Sequence, residues 1–258
     1  MRSSDHDEER EPAKRGRLAL PAGRCGMRVL RGRAGDIETD RRRTRKLVER
    51  VGEADEPALR VWTPHRQIAF GRRDTREEGY ERAREAAEAA GFPAIERRVG
   101  GRAVAYTGST VAFARTEPVS DIRSGLTDRY EAATTDLQVA LHRLGVRSQP
   151  GEPPDSFCPG THSLQTTGEE GGKIAGVAQR IGRGAALVAG VVIIDSSAEI
   201  VAVLETVYDA LEVPFDPATI GSIERAGGET GREEVLAEIE RALVGDASDV
   251  DVERIAEE

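Results

Sequence analysis

Three strand-length runs separated by glycine turns restrict the fold of this chain more than any other feature. Residues 164–167, 173–181 and 185–194 are the runs, and Gly168-Glu169-Glu170-Gly171-Gly172 and Gly182-Arg183-Gly184 are the turns between them. Successive strands joined by short glycine turns form a β-meander, so part of this protein is antiparallel sheet.

Helical patterns stand on both sides of the meander. In residues 126–144, Tyr130, Ala133, Leu137, Leu141 and Leu144 recur at spacings of three and four, the period of one buried helix face, and Gly145 stops the run. Residues 199–211 and 232–244 are likewise amphipathic, with a short segment at 217–225 between them. Thr75 and Glu78 stand at capping-box spacing ahead of an Ala- and Glu-rich helix that Gly91 and Pro93 close. Residues 36–51 are charged but carry Ile37, Leu47 and Val51, as a solvent-facing first helix would. Short β-type runs occupy 58–62, 67–70, 95–106 and 108–114, with a Gly-Gly step inside the third.

Strands and helices thus mix in small groups without strict βα alternation, which predicts an α+β fold with a mixed β-sheet flanked by helices. Composition shows no break that demands two domains. Residues 27–250 are expected to form a single domain whose C-terminal part, 197–250, is helical and whose last acidic residues fray. Residues 1–26 are charged, contain proline and lack periodicity, and are expected to be a disordered tail.

A formal net charge of −9 argues against non-specific binding to nucleic acid or to an acidic membrane surface. No run approaches the roughly 18 apolar residues of a spanning helix, and the start lacks an apolar signal core, so a cytoplasmic protein is expected. Abundant acid with little lysine is also the habit of chains kept soluble at high salt. Two cysteines, Cys25 and Cys158, are too few for a disulfide framework.

No phosphate-loop or dinucleotide glycine motif and no nucleophile-elbow serine is present. His6, His65, His142 and His162 lack metal-ligand spacing, and no metal is expected. Three candidates remain. Lysine stands only at Lys14, Lys46 and Lys173, so 34 of the 37 basic residues are arginine, and the one lysine on a glycine turn is conspicuous. An ammonium is a compact point charge suited to a carboxylate or phosphate, where arginine is a planar fork. The plain alternative is a hairpin-edge lysine that discourages strand aggregation. Arg97-Arg98-Val99-Gly100-Gly101-Arg102 joins glycines that admit a ligand to the backbone with arginines suited to an anion. Its plain alternative is a β-bulge with solvated arginines. Cys158, between Phe157 and Pro159-Gly160, is either an inert small hydrophobe or an activated acyl acceptor.

Taken together, these segments resemble the lipoate–protein ligase and octanoyltransferase family, which is related to the biotin–protein ligases. Leu59-Arg60-Val61-Trp62 with Phe70-Gly71-Arg72 is similar to the family's early LRxW…GR segment. Residues 97–104 resemble its RRxxGGxAV segment, and Lys173-Ile174-Ala175-Gly176-Val177-Ala178-Gln179-Arg180 its KxxGxAQR segment. The resemblance implies a class II synthetase or biotin–lipoate ligase-like core with Lys173 as the catalytic lysine. It implies an acyl and nucleotide pocket lined by Arg97, Arg98, Gly100, Gly101, Arg102, Ala103, Gly176 and Ala178, and it gives Cys158 the place of the nucleophile some transferases carry. Three departures accompany it. Tyr106-Thr107 stand where the family has a His-Asp pair. Val188-Ala189-Gly190 lack a histidine before the glycine. Ser163 stands near where an acidic residue is expected between cysteine and lysine.

The function implied is acyl transfer in protein lipoylation, joining lipoate or octanoate to a lysine of a lipoyl domain from 2-oxoacid dehydrogenases or glycine cleavage proteins. The first expectation is a ligase using ATP and Mg2+ through an acyl-adenylate, with or without a separate accessory domain. The alternatives are a Cys158-dependent octanoyltransferase that takes octanoate from acyl carrier protein and needs no cofactor, and a non-catalytic acyl-binding protein.

Overall fold

The computed structural model describes residues 26–255 except 98–100, 122–123, 169–170, 183 and 196. Eleven strands and five helices are found among the described residues. In chain order they are β1 (Gly26–Arg31), α1 (Ile37–Ala54), β2 (Ala58–Trp62), β3 (Gln67–Phe70), α2 (Tyr80–Ala89), β4 (Ala94–Glu96), β5 (Val104–Tyr106), β6 (Thr110–Pro118), α3 (Leu126–Arg143), β7 (Ser148–Pro150), β8 (Ser163–Thr166), β9 (Lys173–Gly182), β10 (Ala185–Ile193), α4 (Ser197–Ala210), α5 (Arg232–Val244) and β11 (Asp249–Arg254). The expected tail, 1–26, lies outside the described residues but for Gly26.

Eight strands form one sheet in the order β11-β1-β2-β6-β10-β9-β8-β7, and three form a second in the order β4-β3-β5. The large sheet is mixed. Its β1 runs parallel to both β2 and β11, while β2, β6, β10, β9, β8 and β7 pair antiparallel in turn. The α+β class and the meander through β8, β9 and β10 are therefore present.

Strand β10 shows how the core is divided. Side chains alternate across a strand, and Val188 and Val192 enter one buried cluster with α3, α5 and the adjoining strands. Val191 and Ile193 enter another with β3, β5, α2 and α4. One strand thus anchors both layers, which brings the small sheet over the meander.

Helix α1 begins where Asp36 accepts the backbone N–H of Thr39 at 2.8 Å, and ends at Asp55 in a left-handed conformation. Its Asp40 is buried against Arg60 of β2, which is itself fully buried. The Arg60 guanidinium also donates to Thr44 Oγ1 (2.6 Å) and the Gly32 carbonyl (2.9 Å) and lies over the Trp62 ring. The arginine of the LRxW segment is a structural rivet that ties α1 to the sheet.

Two expectations are corrected. The acidic residues at 249–254 do not fray; they are β11, paired with β1 along all six, and residues 256–258 lie outside the described residues. Nor do Thr75 and Glu78 cap a helix. Asp74–Arg76 is a short 3-10 turn, Thr75 Oγ1 donates to the Arg72 carbonyl, and α2 starts after Gly79 without a side-chain cap. Gly79 is what the site demands, because a Cβ there would strike the Ala210 carbonyl at the end of α4.

Candidate functional site

Between β7 and β8 the chain makes a proline-containing loop that carries Cys158. Two residues of this loop stand in left-handed backbone, Asp155 (φ 55°) and Cys158 (φ 44°). Such a conformation in a non-glycine residue persists only where surrounding contacts over-determine it. Lys173, opening β9, supplies the first set. Its ammonium donates to the Phe157 carbonyl (2.9 Å), the Cys158 carbonyl (2.7 Å) and Glu152 Oε2 (2.7 Å). An ammonium has three N–H bonds, and all three are used. The side chain is 1% exposed.

Glu152 completes the clamp. Oε2 also accepts from Ser163 Oγ (2.8 Å), and Oε1 accepts from the Gly160 N–H (2.7 Å), so one carboxylate ties both flanks of the loop to Lys173. The acidic partner expected near Ser163 is thus supplied from the other side of the cysteine, with Ser163 bonded to it. Lys173 is aimed by its backbone. The Lys173 carbonyl accepts from Gly221 N at 3.0 Å, and at Gly172 a Cβ would come within 2.6 Å of that same nitrogen. The glycine before the lysine therefore serves close backbone packing.

The sulfur faces Arg97, Gly101 and Arg102. Arg97 Nη2 lies 2.9 Å from Cys158 Sγ and 2.7 Å from the Arg102 carbonyl, and the Arg102 N–H lies 3.3 Å from the sulfur. Burial works to lower the Arg97 guanidinium, but Cys158, then Tyr106 and Tyr208, hold it above its ordinary value. Gly101 has φ 101°, and a Cβ on it would stand 2.5 Å from Sγ. Only glycine lets the backbone come this near the thiol. Gly71 presses on Gly101 from behind, and Asp74 accepts both the Gly71 N–H (2.8 Å) and Arg102 Nη1 (3.2 Å).

Tyr208 of α4 joins the two segments. Its hydroxyl accepts the Cys158 N–H at 2.5 Å and donates to the Ala103 carbonyl at 3.1 Å. Burial, reinforced by Cys158, pushes the Tyr208 phenol well above its usual range, so it stays a neutral donor.

A cavity of about 560 Å³ opens beside these groups. Cys158, Arg97, Gly101 and Lys173 line it, with Gly176 and Ala178 of β9, and its apolar wall includes Val104, Phe113, Val177 and Val191. Arg102 and Ala103 are not among the lining residues. The Arg102 guanidinium turns to Asp74 and Glu77, and Ala103 is buried in the core around the small sheet. Arg98 and Gly100 lie outside the described residues. Sequence reading missed Glu152 and Tyr208, since a lone glutamate in a polar loop and one tyrosine of an amphipathic helix carry no spacing signal. His162, set aside there as isolated, also lines the cavity, its ring stacked on Tyr130 at 3.7 Å between centroids.

The chain as a whole is similar to known proteins. A family model described as the lipoyl protein ligase A/B catalytic domain matches residues 36–243. A protein of Anoxybacillus flavithermus named octanoyl-[GcvH]:protein N-octanoyltransferase is 32% identical over 143 residues, 54% of this chain and 49% of the relative. A protein of the same name from Bacillus velezensis is 32% identical over 54% of this chain and 47% of its own length. This chain spans about half the length of the curated relatives it matches. Among solved structures, a lipoate-protein ligase A bound with ATP superposes with a TM-score of 0.65 at 20% identity, covering 91% of this chain and 90% of that one. A bipartite lipoate protein ligase of Thermoplasma acidophilum, studied with its E2 lipoyl domain, gives 0.62 at 16% identity over 91% and 88%. At these identities the structural matches bear on the fold alone.

Proposed function

The chain belongs to the lipoyl protein ligase A/B catalytic-domain family, and we propose that within it the protein is a Cys158-dependent octanoyltransferase. One observation carries this reading: the only described cysteine lines the cavity with its sulfur 2.9 Å from a guanidinium and 3.3 Å from a backbone N–H. A sulfur set against these two donors on a cavity wall is placed to take an acyl group as a nucleophile. The adenylate route expected from sequence gives way for two reasons. The curated relatives are named transferases. Lys173, the residue that would meet an acyl-adenylate, has all its donors engaged by Glu152 and the cysteine loop.

In the first half-reaction the Cys158 sulfur attacks the acyl carbonyl carbon. A C–S bond forms, the bond from acyl carbon to donor breaks, and the donor departs with a proton. In the second, the nitrogen of an acceptor lysine attacks the thioester. The C–N bond forms as the amine gives up its proton, the C–S bond breaks, and the freed sulfur returns to its place beside Arg97. The relatives' name points to an octanoyl-GcvH donor in place of acyl carrier protein, and a lipoyl domain is the natural acceptor. Lys173, Glu152 and Tyr208 position the cysteine; Arg97 and the Arg102 N–H touch it.

Intact-mass analysis tests this directly. The protein is incubated without ATP with an octanoyl thioester or octanoyl-GcvH and an apo lipoyl domain. An octanoyl adduct on Cys158, chased to the lipoyl domain and abolished by Cys158→Ser, is expected. Product that requires ATP and survives Cys158→Ser would sink the reading.

A further inference from the structure

The second half-reaction needs a proton acceptor. A lysine amine attacks only as the free base, and after attack its nitrogen must shed another proton before the C–S bond yields an amide. Lys173 cannot take that proton while it donates three hydrogen bonds and pairs with Glu152. The carboxylate of Glu152 is itself engaged on both oxygens and is not among the residues lining the cavity. Of the described carboxylates that do line it, Asp40 is buried against Arg60 and Glu49 is exposed on α1. Tyr106 is pushed up by burial, with Arg97 opposing, and the Tyr130 hydroxyl already accepts the Gln179 N–H at 2.8 Å.

We propose that His162 is the catalytic base of the transfer half-reaction, accepting the proton of the incoming lysine as its nitrogen bonds to the acyl carbon of the Cys158 thioester. This rests on the thioester reading above. His162 is the one neutral nitrogen base among the described residues of the cavity wall, on the same loop as Cys158. Its position is fixed on two sides. The His162 carbonyl accepts the Val177 N–H of β9 at 2.9 Å, and the ring lies flat on Tyr130, 7° from parallel. Its ring nitrogens have no hydrogen-bond partner among the described residues, so both remain open to a substrate.

The electrostatic surroundings keep the ring a base. Burial lowers the imidazole from its ordinary 6.5, and Glu131 of α3 opposes this. Tyr130 faces it from α3, Cys158 and Lys173 share its cavity, and Arg180 of β9 also lines that wall. The proton taken by His162 passes to solvent when the product leaves. If the donor is itself an acylated lysine, the same imidazole, protonated, returns a proton to the departing amine by microscopic reversibility.

The test separates the two half-reactions. Wild type, His162→Gln and His162→Phe are loaded on Cys158 with a small octanoyl thioester, freed of donor and mixed with an apo lipoyl domain. Thioester exchange needs no amine deprotonation, so loading should stay within about twofold in all three, whereas transfer in both variants should fall about 100-fold, the low end of general-base contributions. Phenylalanine keeps the stack on Tyr130, so the same loss in both variants points to the lost nitrogen. Wild-type transfer should weaken as pH falls through the titration of His162, and the variants should lack that limb. Transfer at the wild-type rate in His162→Phe, or losses in loading equal to those in transfer, would overturn the assignment. Absence of any adduct in wild type would instead fell the Cys158 reading on which it stands.

Discussion

Removal of the Glu152 carboxylate tests whether Lys173 is held as a loop clamp. Lys173 is 1% and Glu152 17% exposed at the side chain. Glu152→Ala leaves an ammonium among apolar groups with two carbonyl acceptors and no counter-charge, and frees the Gly160 N–H and the Ser163 hydroxyl. Breaking one side of a buried ion pair costs about 3–5 kcal/mol. The two carbonyls that remain put the expected cost near the low end, about 3 kcal/mol. For a chain of this size, each kcal/mol moves the midpoint by about 2–4 °C, so Tm should fall by roughly 6–12 °C. Lys173→Met leaves a carboxylate that water can reach and should cost less, about 1–2 kcal/mol. Urea denaturation of wild type, both single variants and the double variant completes the cycle. The double variant should be no less stable than Glu152→Ala, a coupling of at least about 1–2 kcal/mol. A Glu152→Ala cost below about 1 kcal/mol, or strict additivity, would refute the clamp.

Three further outcomes follow from other parts of the structure. Gly101→Ala forces a Cβ to 2.5 Å from the Cys158 sulfur at a φ of 101°, so octanoyl loading of Cys158, read by mass, should slow by at least about tenfold while the fold persists. Asp40→Ala strands the fully buried Arg60 and should cost about 3–5 kcal/mol in urea unfolding, more than replacing both partners with leucine. Burial holds the His162 imidazole below 6.5, so the unfolded chain binds the proton first. That contribution to stability is constant above about pH 6.5 and is lost as pH falls from there toward the folded value; His162→Gln should flatten the slope of Tm against pH.

Much of the scaffold was readable in one dimension because its signals are local. Helix α5 at 232–244 and strands β2 and β3 coincide with the apolar periods that announce them, and α3 and β9 differ by one residue at an end. Strand β11 was not readable, because each of its residues is exposed and its backbone pairs with β1, more than 200 positions away. Likewise, Thr75 and Glu78 have the spacing of a cap, but the contact between Gly79 and the end of α4 decides where α2 begins.

The site divides along the same line. Sequence by itself picked out Lys173, Cys158 and the segment at 97–102, since an unusual residue type beside glycines is a local signal. What each group does was decided in three dimensions. The arginine of the LRxW segment is spent on Asp40, Arg102 offers the thiol its backbone N–H while its guanidinium turns to Asp74 and Glu77, and Lys173 is saturated by the loop it secures. Glu152 and Tyr208, which hold the cysteine in its left-handed turn, come from a polar loop and the far face of a helix. Hydrogen bonds and ion pairs depend on distance and direction between groups remote in the chain. A linear pattern can therefore nominate the chemical groups of a site, but only packing determines which donors remain free to meet a substrate.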